Sequence, residues 1–248
     1  MKFGVCNLSV IPLRVEANDT SEMVSQVLYG ETFKILESNN KWSRICLSYD
    51  NYEGWLDNKQ FLIISEDDYS SIEKLALKLS TNFVDIIISP EKELFSICLG
   101  SHISVVDFLK HKFEGNSITG PQPKSGIIET AQLYLNSPYL WGGKTAFGID
   151  CSGFTQMVYK LNGYKLLRDS SEQATQGDSL SFIEESEPGD LAFFDNEEGF
   201  ITHVGIIMKD NHIIHASGKV RIDRLDQSGI FNSEIRKHTH KLRVIKRI

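Results

Sequence analysis

The sequence is poor in the features that mark membrane, nucleic-acid-binding and disulfide-stabilised proteins. Its 248 residues contain no apolar run long enough to cross a membrane, and the N-terminus lacks the apolar core of about 7 to 15 residues found in secretion signals. The net charge is −7 and no cluster of Lys and Arg is present, which argues against nucleic acid or an anionic membrane as a partner. We therefore expect a cytoplasmic protein.

Cysteine is also scarce, with four residues and no CxxC pair, which fits a reducing compartment better than a disulfide framework. Cys6, Cys46 and Cys98 lie in apolar runs typical of strands, so we interpret them as small buried hydrophobic residues. For Cys151, a zinc site shared with two histidines is one alternative, but no fourth ligand stands at short spacing. We predict no metal and no cofactor.

Cys151 differs from the other cysteines in its flanks, Asp-Cys-Ser-Gly-Phe after a glycine-rich segment. Apolar residues from position 152 to Leu161 recur at i, i+3, i+4 and i+7, which predicts an amphipathic helix that ends before Gly163. A thiol in the first turn faces unpaired N–H groups and the positive end of the helix dipole. We therefore expect a lowered thiol pKa and interpret Cys151 as a candidate nucleophile.

Two histidines follow in short apolar runs that predict strands: His203 in Ile-Thr-His-Val-Gly-Ile, and His215 in Ile-Ile-His-Ala. A turn at Lys209-Asp210-Asn211 would join these strands as an antiparallel pair. One imidazole could then accept the thiol proton while the second orients it. The remaining histidines are interpreted as structural or surface residues: His102, His111, His212, His238 and His240.

The order Asp-Cys-Ser-Gly-Phe, His-Val-Gly-Ile and Ile-His-Ala resembles the NlpC-type bacterial cell-wall cysteine peptidases, over about residues 126 to 248. Two further segments carry the same resemblance: Pro-Tyr-Leu-Trp-Gly-Gly from position 138 and Glu-Pro-Gly-Asp-Leu-Ala-Phe-Phe from position 187. The resemblance implies that Cys151 is the nucleophile, His203 the base and His215 the residue that orients it. It also implies hydrolysis of the γ-D-glutamyl bond to a diamino acid in peptidoglycan stem peptides.

The 41% hydrophobic and 24% charged composition is that of a globular protein with two or three cores. Residues 1–65 read as short strands separated by turns and resemble a bacterial SH3-like domain. We interpret residues 66–125 as a divergent second SH3-like module plus a linker, and residues 126–248 as the catalytic domain. Helices that precede antiparallel strands predict an α+β, papain-like fold for this last part.

The substrate side of the site is predicted from the cytosolic γ-D-glutamyl-L-diamino acid endopeptidases of muropeptide recycling, to which the chain is most similar. The resemblance implies that Asp169 binds the free amine of an N-terminal L-Ala. It further implies that Ser170 and Ser152 contact the D-Glu carboxylate. The alternative is that Asp169 and Ser170 only cap a short helix, and both roles are compatible.

In the same enzymes the SH3-like domain closes the amine end of the cleft, which implies amine contacts from Glu22 and Tyr52. A desolvated ammonium needs such a charge partner. The alternative is a solvated Glu22 and a core Tyr52. Tyr139 is a candidate to steady the thiol or the oxyanion, together with N–H groups at the start of the Cys151 helix.

We thus predict a cysteine endopeptidase that acts on the murein peptide L-Ala-γ-D-Glu-diamino acid. Two alternatives stay open. One is an amidase or acyltransferase, because the same thioester can pass to another nucleophile. The other is a non-catalytic module that binds the wall through its SH3-like domains, against which the intact Cys151, His203 and His215 speak.

Overall fold

The structure is a computed structural model that describes residues 2–248. The chain divides by its internal contacts into two units. The N-terminal unit comprises residues 2–120 together with Trp141–Ala146, and the C-terminal unit comprises Pro121–Leu140 and Phe147–Ile248. Helices and antiparallel strands occupy separate parts of the C-terminal unit, as expected for an α+β fold.

Seven short antiparallel strands open the N-terminal unit: β1 (Lys2–Val5), β2 (Val10–Arg14), β3 (Met23–Leu28), β4 (Thr32–Ser38), β5 (Trp42–Leu47), β6 (Glu53–Asp57) and β7 (Leu62–Ile64). They form one sheet in the order β3-β2-β6-β5-β4-β1-β7. Alternate residues of these strands turn inward and build a core that includes Ile11, Leu13, Phe33 and Ile45. This sheet corresponds to the strands predicted for residues 1–65.

The rest of the N-terminal unit consists of α1 (Glu66–Glu73), β8 (Lys78–Ser80), β9 (Val84–Ile88), β10 (Leu94–Cys98), a 3-10 turn (Ile103–Val105), β11 (Lys112–Phe113) and β12 (Ser117–Thr119). Strands β10-β9-β11 form one small sheet and β12-β8 another. They surround a second core that contains Tyr29, Ile87 and Ile97. The assignment of residues 66–125 to a second SH3-like module stays a prediction.

Helix α1 begins after Ser65, whose side chain accepts from the Asp68 N–H at 3.1 Å. Three acidic residues in its first turn add a favourable interaction with the helix dipole. Near the end of residues 66–125, Ser117–Thr119 forms strand β12, which pairs with β8.

The segment Trp141–Ala146, which includes β13 (Lys144–Thr145), belongs to the N-terminal unit although it lies shortly before Cys151 in the chain. Its Gly142 has φ +75°, and a Cβ there would lie 2.3 Å from the Met23 carbonyl oxygen, so only glycine fits this approach. Lys144 is buried beside Glu31, with Nζ 3.5 Å from Oε1. The Lys144 backbone N–H also donates to Gln26 at 2.7 Å.

The C-terminal unit contains three helices and eight strands: α2 (Gly126–Leu133), β14 (Gly148–Ile149), α3 (Cys151–Leu161), α4 (Ser170–Gln173), β15 (Asp178–Leu180), β16 (Leu191–Asp195), β17 (Ile201–Met208), β18 (His212–Ser217), β19 (Lys219–Asp226), β20 (Gly229–Asn232) and β21 (Lys237–Arg247). A 3-10 turn covers Ile183–Glu185. Strands β21-β16-β17-β18-β19-β20 pair in that order, and β20 pairs back with β21. Six strands therefore close into a barrel with β15 at its side.

Helix α3 packs against β17 and β18, and α2 packs against α3. Every residue of α3 is buried, including Phe154, Met157 and Val158, each of which contributes roughly 1.5 to 3 kcal/mol of burial free energy. The predicted helix over 152–161 is thus present and starts one residue earlier, at Cys151. No helix within residues 2–248 is long and apolar enough to span a membrane.

Candidate active site

The start of helix α3 carries Cys151, the proposed nucleophile. Asp150 is the N-cap, and its Oδ1 accepts from the Gly153 N–H at 2.6 Å. The Asp150 carboxylate is held in turn by the buried Arg168, whose Nη2 lies 2.6 Å from Oδ2. The position of Cys151 in the first helical turn is therefore fixed by a capping carboxylate and a buried ion pair.

The predicted lowering of the Cys151 pKa is not found. Burial, reinforced by the adjacent Asp150 carboxylate, raises the pKa of this thiol to about 12. Opposing contributions come from the backbone N–H groups of Val204 and Ser152 and from the positive charge of Arg168. The prediction counted the helix dipole but not the loss of solvation of a thiolate that is 7% exposed. Burial thus favours the neutral thiol at Cys151 near pH 7.

The Val204 backbone N–H lowers the pKa of the Cys151 thiol, so the proposed nucleophile lies near the residue that follows His203. Within the barrel, His203 and His215 lie on neighbouring strands β17 and β18. Gly205, two residues after His203, pairs with His215, so both side chains project from the same face of the sheet. A Cβ at Gly205 would lie 2.9 Å from His215 Cβ, so glycine makes room for this approach.

His203 Nε2 lies 2.8 Å from His215 Nδ1, and the two rings are nearly perpendicular at 84°. This bond occupies Nε2 of His203, which leaves Nδ1 as the ring nitrogen for proton exchange with a thiol. Burial, followed by the neighbouring His215 and His240, lowers the pKa of His203 well below its usual value. The structure therefore brings the predicted base and its predicted orienting residue into direct contact, with the base neutral.

Two residues that the sequence interpretation missed continue this series beyond His215. His215 Nε2 lies 3.0 Å from Asp223 Oδ2, and Asp223 is buried on β19. Arg221 donates to both carboxylate oxygens, with Nε 2.7 Å from Oδ2 and Nη2 3.0 Å from Oδ1. The register of the β18–β19 hairpin places His215 opposite Arg221, so hairpin arithmetic around Gly218 would have put Asp223 on the His215 face.

His240 was interpreted as a structural or surface residue, but its ring stacks on that of His203 with centroids 4.1 Å apart and an interplanar angle of 26°. Burial, followed by the proximity of His215, lowers the pKa of His240 to about 4. The third imidazole is therefore neutral near pH 7 and covers one face of the proposed base. Nothing in the local sequence Thr-His-Lys-Leu marked it.

The three imidazoles of His203, His215 and His240 lie close enough together to be tested as a metal site, with one nitrogen from each within 4.8 Å of the others. Two nitrogens on a tetrahedral zinc with bonds of about 2.0 to 2.1 Å stand about 3.3 to 3.4 Å apart. The 2.8 Å separation between His203 and His215 is shorter and is that of a hydrogen bond. The nearly parallel rings of His203 and His240 also do not direct their lone pairs to a common point. The arrangement thus fits a hydrogen-bonded series better than a metal site.

The residues predicted to contact substrate in the C-terminal unit have identifiable neighbours. Ser152 is buried and its hydroxyl accepts from Arg168 Nη1 at 2.9 Å. Asp169 is the N-cap of α4 and forms a capping box with Glu172. The helix-capping role given above as the alternative for Asp169 is therefore found. Ser170 is half-buried at the first position of α4. The substrate contacts of all three stay a prediction.

Tyr139 is half-buried, and its N–H donates to the Gly218 carbonyl at 3.0 Å. Burial raises the pKa of Tyr139 to about 12, with further contributions from Cys151 and Asp150. Its hydroxyl is thus a protonated donor near the proposed nucleophile. This is the property required of a group that would steady a sulfur or an oxyanion.

Glu22 and Tyr52, the residues predicted to bind an amine, belong to the N-terminal unit. Glu22 is exposed and accepts from the indole N–H of Trp141 at 2.6 Å. Tyr52 packs against the barrel core while remaining partly exposed. Glu22, for which a solvated position was the alternative, thus has a specific partner in Trp141. The alternative for Tyr52, a place in the core, agrees with its packing. The amine contacts of both residues stay a prediction.

Comparison with known proteins defines the two parts of the chain. Residues 136–242 match the NlpC/P60 family, and residues 13–61 match the bacterial dipeptidyl-peptidase SH3 domain. The chain carries an NlpC/P60 domain preceded by a bacterial SH3 domain. The predicted fold class, a papain-like α+β domain after an SH3-like barrel, is therefore confirmed.

Two curated relatives align with most of the chain. The γ-D-glutamyl-L-lysine dipeptidyl-peptidase of Bacillus subtilis (strain 168) is 29% identical over 218 residues, which cover 77% of this chain and 71% of the relative. Dipeptidyl-peptidase 6 of Lysinibacillus sphaericus is 26% identical over 254 residues, covering 87% and 89%. The relatives and the NlpC/P60 domain together support a peptidase.

Solved structures agree on the fold. An NlpC/P60 family protein from Bacillus cereus ATCC 10987 superposes with a TM-score of 0.78 at 18% identity, covering 99% of each chain. An NlpC/P60 endopeptidase from Photobacterium damselae subsp. piscicida gives 0.69 at 15% identity, covering 98% of this chain and 70% of that one. At these identities the likeness shows the fold alone and gives no information on the substrate.

Proposed function

We propose that this protein is a cysteine endopeptidase that hydrolyses the bond between the γ-carboxyl of D-Glu and the amine of a diamino acid in L-Ala-γ-D-Glu-diamino acid peptides. The observation that carries the proposal is the hydrogen bond between His203 on β17 and His215 on β18, with Val204, the residue after His203, close enough to Cys151 to affect its pKa. The name of the Bacillus subtilis relative, a γ-D-glutamyl-L-lysine dipeptidyl-peptidase, supports the bond and the product.

In this proposal Cys151 Sγ attacks the γ-carbonyl carbon while His203 Nδ1 takes the thiol proton. The carbonyl C–N bond then breaks, His203 returns the proton to the leaving amine, and a thioester to the D-glutamyl group remains. Water attacks the thioester with the same base, which releases the dipeptide and regenerates the thiol. Burial raises the pKa of Cys151 and lowers that of His203, so proton transfer starts from a neutral thiol and a neutral imidazole.

The substrate-binding part of the proposal assigns the D-Glu carboxylate to Ser152 and Ser170 and the free amine to Asp169, Glu22 and Tyr52. Support comes from the charge and chemistry of each residue. A carboxylate such as Asp169 offers a charge-assisted hydrogen bond to an ammonium, and a hydroxyl donates to a carboxylate. A cytoplasmic role in muropeptide recycling belongs to the same proposal, since such peptides carry a free N-terminal L-Ala.

The test is mass spectrometry of the products from two synthetic tripeptides, each tried with L-Lys and with meso-diaminopimelate at the third position. One tripeptide has a free L-Ala amine, and the other carries an N-acetylmuramyl cap. We expect release of L-Ala-γ-D-Glu from the first and no cleavage of the second. The Cys151→Ala variant is the control and should be folded and inactive. A folded wild-type protein that cleaves neither tripeptide would refute the proposed activity.

The amine assignment has its own test. Glu22→Gln and Asp169→Asn each remove a charge partner from the ammonium, a loss of about 2 to 5 kcal/mol when the pair is desolvated. We expect KM for the free tripeptide to rise with little change in kcat, while Glu184→Gln, which alters an exposed carboxylate of the C-terminal unit, leaves both unchanged. Unchanged KM in both charge variants would remove these residues from the amine site.

A further inference from the structure

Asp223 ends a continuous hydrogen-bonded series that starts at His203. His203 bonds His215 at 2.8 Å, and His215 bonds Asp223 at 3.0 Å. Both links use defined atoms: Nε2 of His203 to Nδ1 of His215, then Nε2 of His215 to Oδ2 of Asp223. All three residues are buried, so water does not compete for these bonds. The protonation of one end therefore constrains the protonation of the other.

Asp223 is held as a carboxylate by its surroundings. Burial opposes the charge, but hydrogen bonds from His215 and Arg221 outweigh it and hold the pKa of Asp223 below its usual value. Arg221 donates hydrogen bonds to both carboxylate oxygens of Asp223. Its Nη1 also lies 3.1 Å from Oε2 of the exposed Glu234, which holds the guanidinium in this orientation. A carboxylate has no proton to donate.

The direction of each bond in the series follows from that fact. Because Asp223 only accepts, His215 must carry its proton on Nε2. His215 is neutral, since burial lowers its pKa, so its Nδ1 has a lone pair and accepts from His203. His203 must then carry its proton on Nε2, which leaves the lone pair on Nδ1. With this tautomer, the His203 nitrogen that is not bound to His215 carries the lone pair that a general base needs.

We propose that Asp223, clamped by Arg221, is a positioning residue that fixes the tautomers of His215 and His203 and so keeps a lone pair on His203 Nδ1. The inference rests on the proposed function in one respect, the role of His203 as the base. A second consequence follows from charge: when His203 accepts the thiol proton, the positive charge spreads over the imidazole pair, and the Asp223 carboxylate stabilises it.

Two substitutions separate these effects. Asp223→Ala removes both the acceptor and the charge. Asp223→Asn keeps the size of the side chain, and its amide oxygen in the Oδ2 position still accepts from His215 and from Arg221 Nε, while the charge is lost. We expect Asn to retain the tautomers and Ala to lose them.

The readouts need no peptide substrate. The first is the ¹⁵N chemical shifts of the imidazole nitrogens in protein labelled at histidine, assigned with His203→Gln and His215→Gln. We expect Nε2 of both rings to be protonated in the wild type and the Asn variant, and mixed tautomers in the Ala variant. The second is the rate at which iodoacetamide alkylates Cys151 near pH 7, located by peptide mass spectrometry. Loss of the Asp223 carboxylate, two hydrogen bonds from the proposed base, should slow alkylation by roughly 10- to 100-fold.

Asp226→Ala is the matched control, because Asp226 lies on the same strand and bonds a histidine, His238, at 2.9 Å on the surface. This variant should leave the His203 and His215 shifts and the alkylation rate unchanged. A purely structural role for Asp223 would lower the melting temperature of its variants without moving either readout at temperatures where they are folded.

The outcomes are distinguishable. Unchanged tautomers in folded Asp223→Ala would overturn the inference, and so would a proton on His203 Nδ1 in the neutral wild-type protein, which remains decisive if the Ala variant fails to fold. An unchanged alkylation rate in Asp223→Asn would overturn the stabilisation of charge by Asp223. If the shifts and rates follow Asp223 while neither tripeptide is cleaved, the inference stands and the proposed function fails. If the tripeptide is cleaved and neither readout responds to Asp223, the function stands and the inference fails.

Discussion

Strand β19 carries two aspartates that each bond a histidine, and the two pairs differ almost only in their surroundings. His215 and Asp223 are 3.0 Å apart with side chains 1% and 2% exposed, whereas His238 and Asp226 are 2.9 Å apart and 42% and 54% exposed. The inner pair is connected to His203 and gripped by Arg221, and the outer pair stands at the surface. The comparison shows that the same Asp–His pair forms part of a longer hydrogen-bonded series where it is buried and has further hydrogen-bond partners, and stays an isolated pair where it is exposed.

The largest expected difference between the buried and the exposed pair is the loss of activity when a histidine is removed. His203→Ala should lower kcat/KM for the free tripeptide by roughly 10³-fold or more, because no other ring can take the thiol proton at that position. His215→Ala should cost substantially less, since the base remains but is no longer oriented. His238→Ala, the surface counterpart, should leave the rate unchanged. Steady-state kinetics check all three, and full activity in His203→Ala would exclude it as the base.

The next difference concerns stability. Asp223→Ala leaves a buried His215 and a partly exposed Arg221 without their acceptor, and should lower the unfolding free energy by about 3 kcal/mol, the lower end of the range for a broken buried pair. Asp226→Ala breaks a solvent-screened pair and should cost less than about 1 kcal/mol. Urea unfolding followed by fluorescence measures both. Equal losses in the two variants would show that burial does not separate the pairs.

The smallest difference is in the pH dependence of stability. Burial lowers the pKa of His240 to about 4, and those of His203 and His215 move in the same direction. As pH falls below about 6.5, the unfolded chain therefore binds protons that the folded protein does not, and stability decreases progressively toward pH 4. The stability that these three neutral histidines contribute is fully present above about 6.5, the pKa of a histidine in the unfolded chain.

Substituting one stacked ring tests this pH effect. His240→Phe keeps an aromatic ring against His203 but removes a titrating group, so the unfolding free energy should change less between pH 6.5 and 4 than in the wild type. His238→Phe alters an exposed ring and should retain the wild-type dependence. Unfolding free energies at a series of pH values decide this, and an equally steep decline in both variants would contradict the assignment to His240.

Much of the fold followed from local patterns. The apolar spacing in residues 152–161 predicted α3, because it follows the helix period of 3.6 residues, and short apolar runs predicted the buried strands that carry His203 and His215. The pKa of Cys151 could not be predicted from such local patterns. The helix dipole is a local property, but the desolvation that raises the thiol pKa comes from residues packed around it from distant parts of the chain.

The sequence by itself determined the order of the proposed nucleophile, base and orienting residue, because Cys151, His203 and His215 each stand in a short recognisable motif. Only the tertiary structure decided that Asp223 and Arg221 extend this series and that His240 covers the proposed base. The physical reason is that these three residues are positioned by the pairing of strands, β18 with β19 for Asp223 and Arg221 and β20 with β21 for His240. Strand register brings residues of separate segments onto one face of a sheet, so a residue can complete a site without a motif of its own.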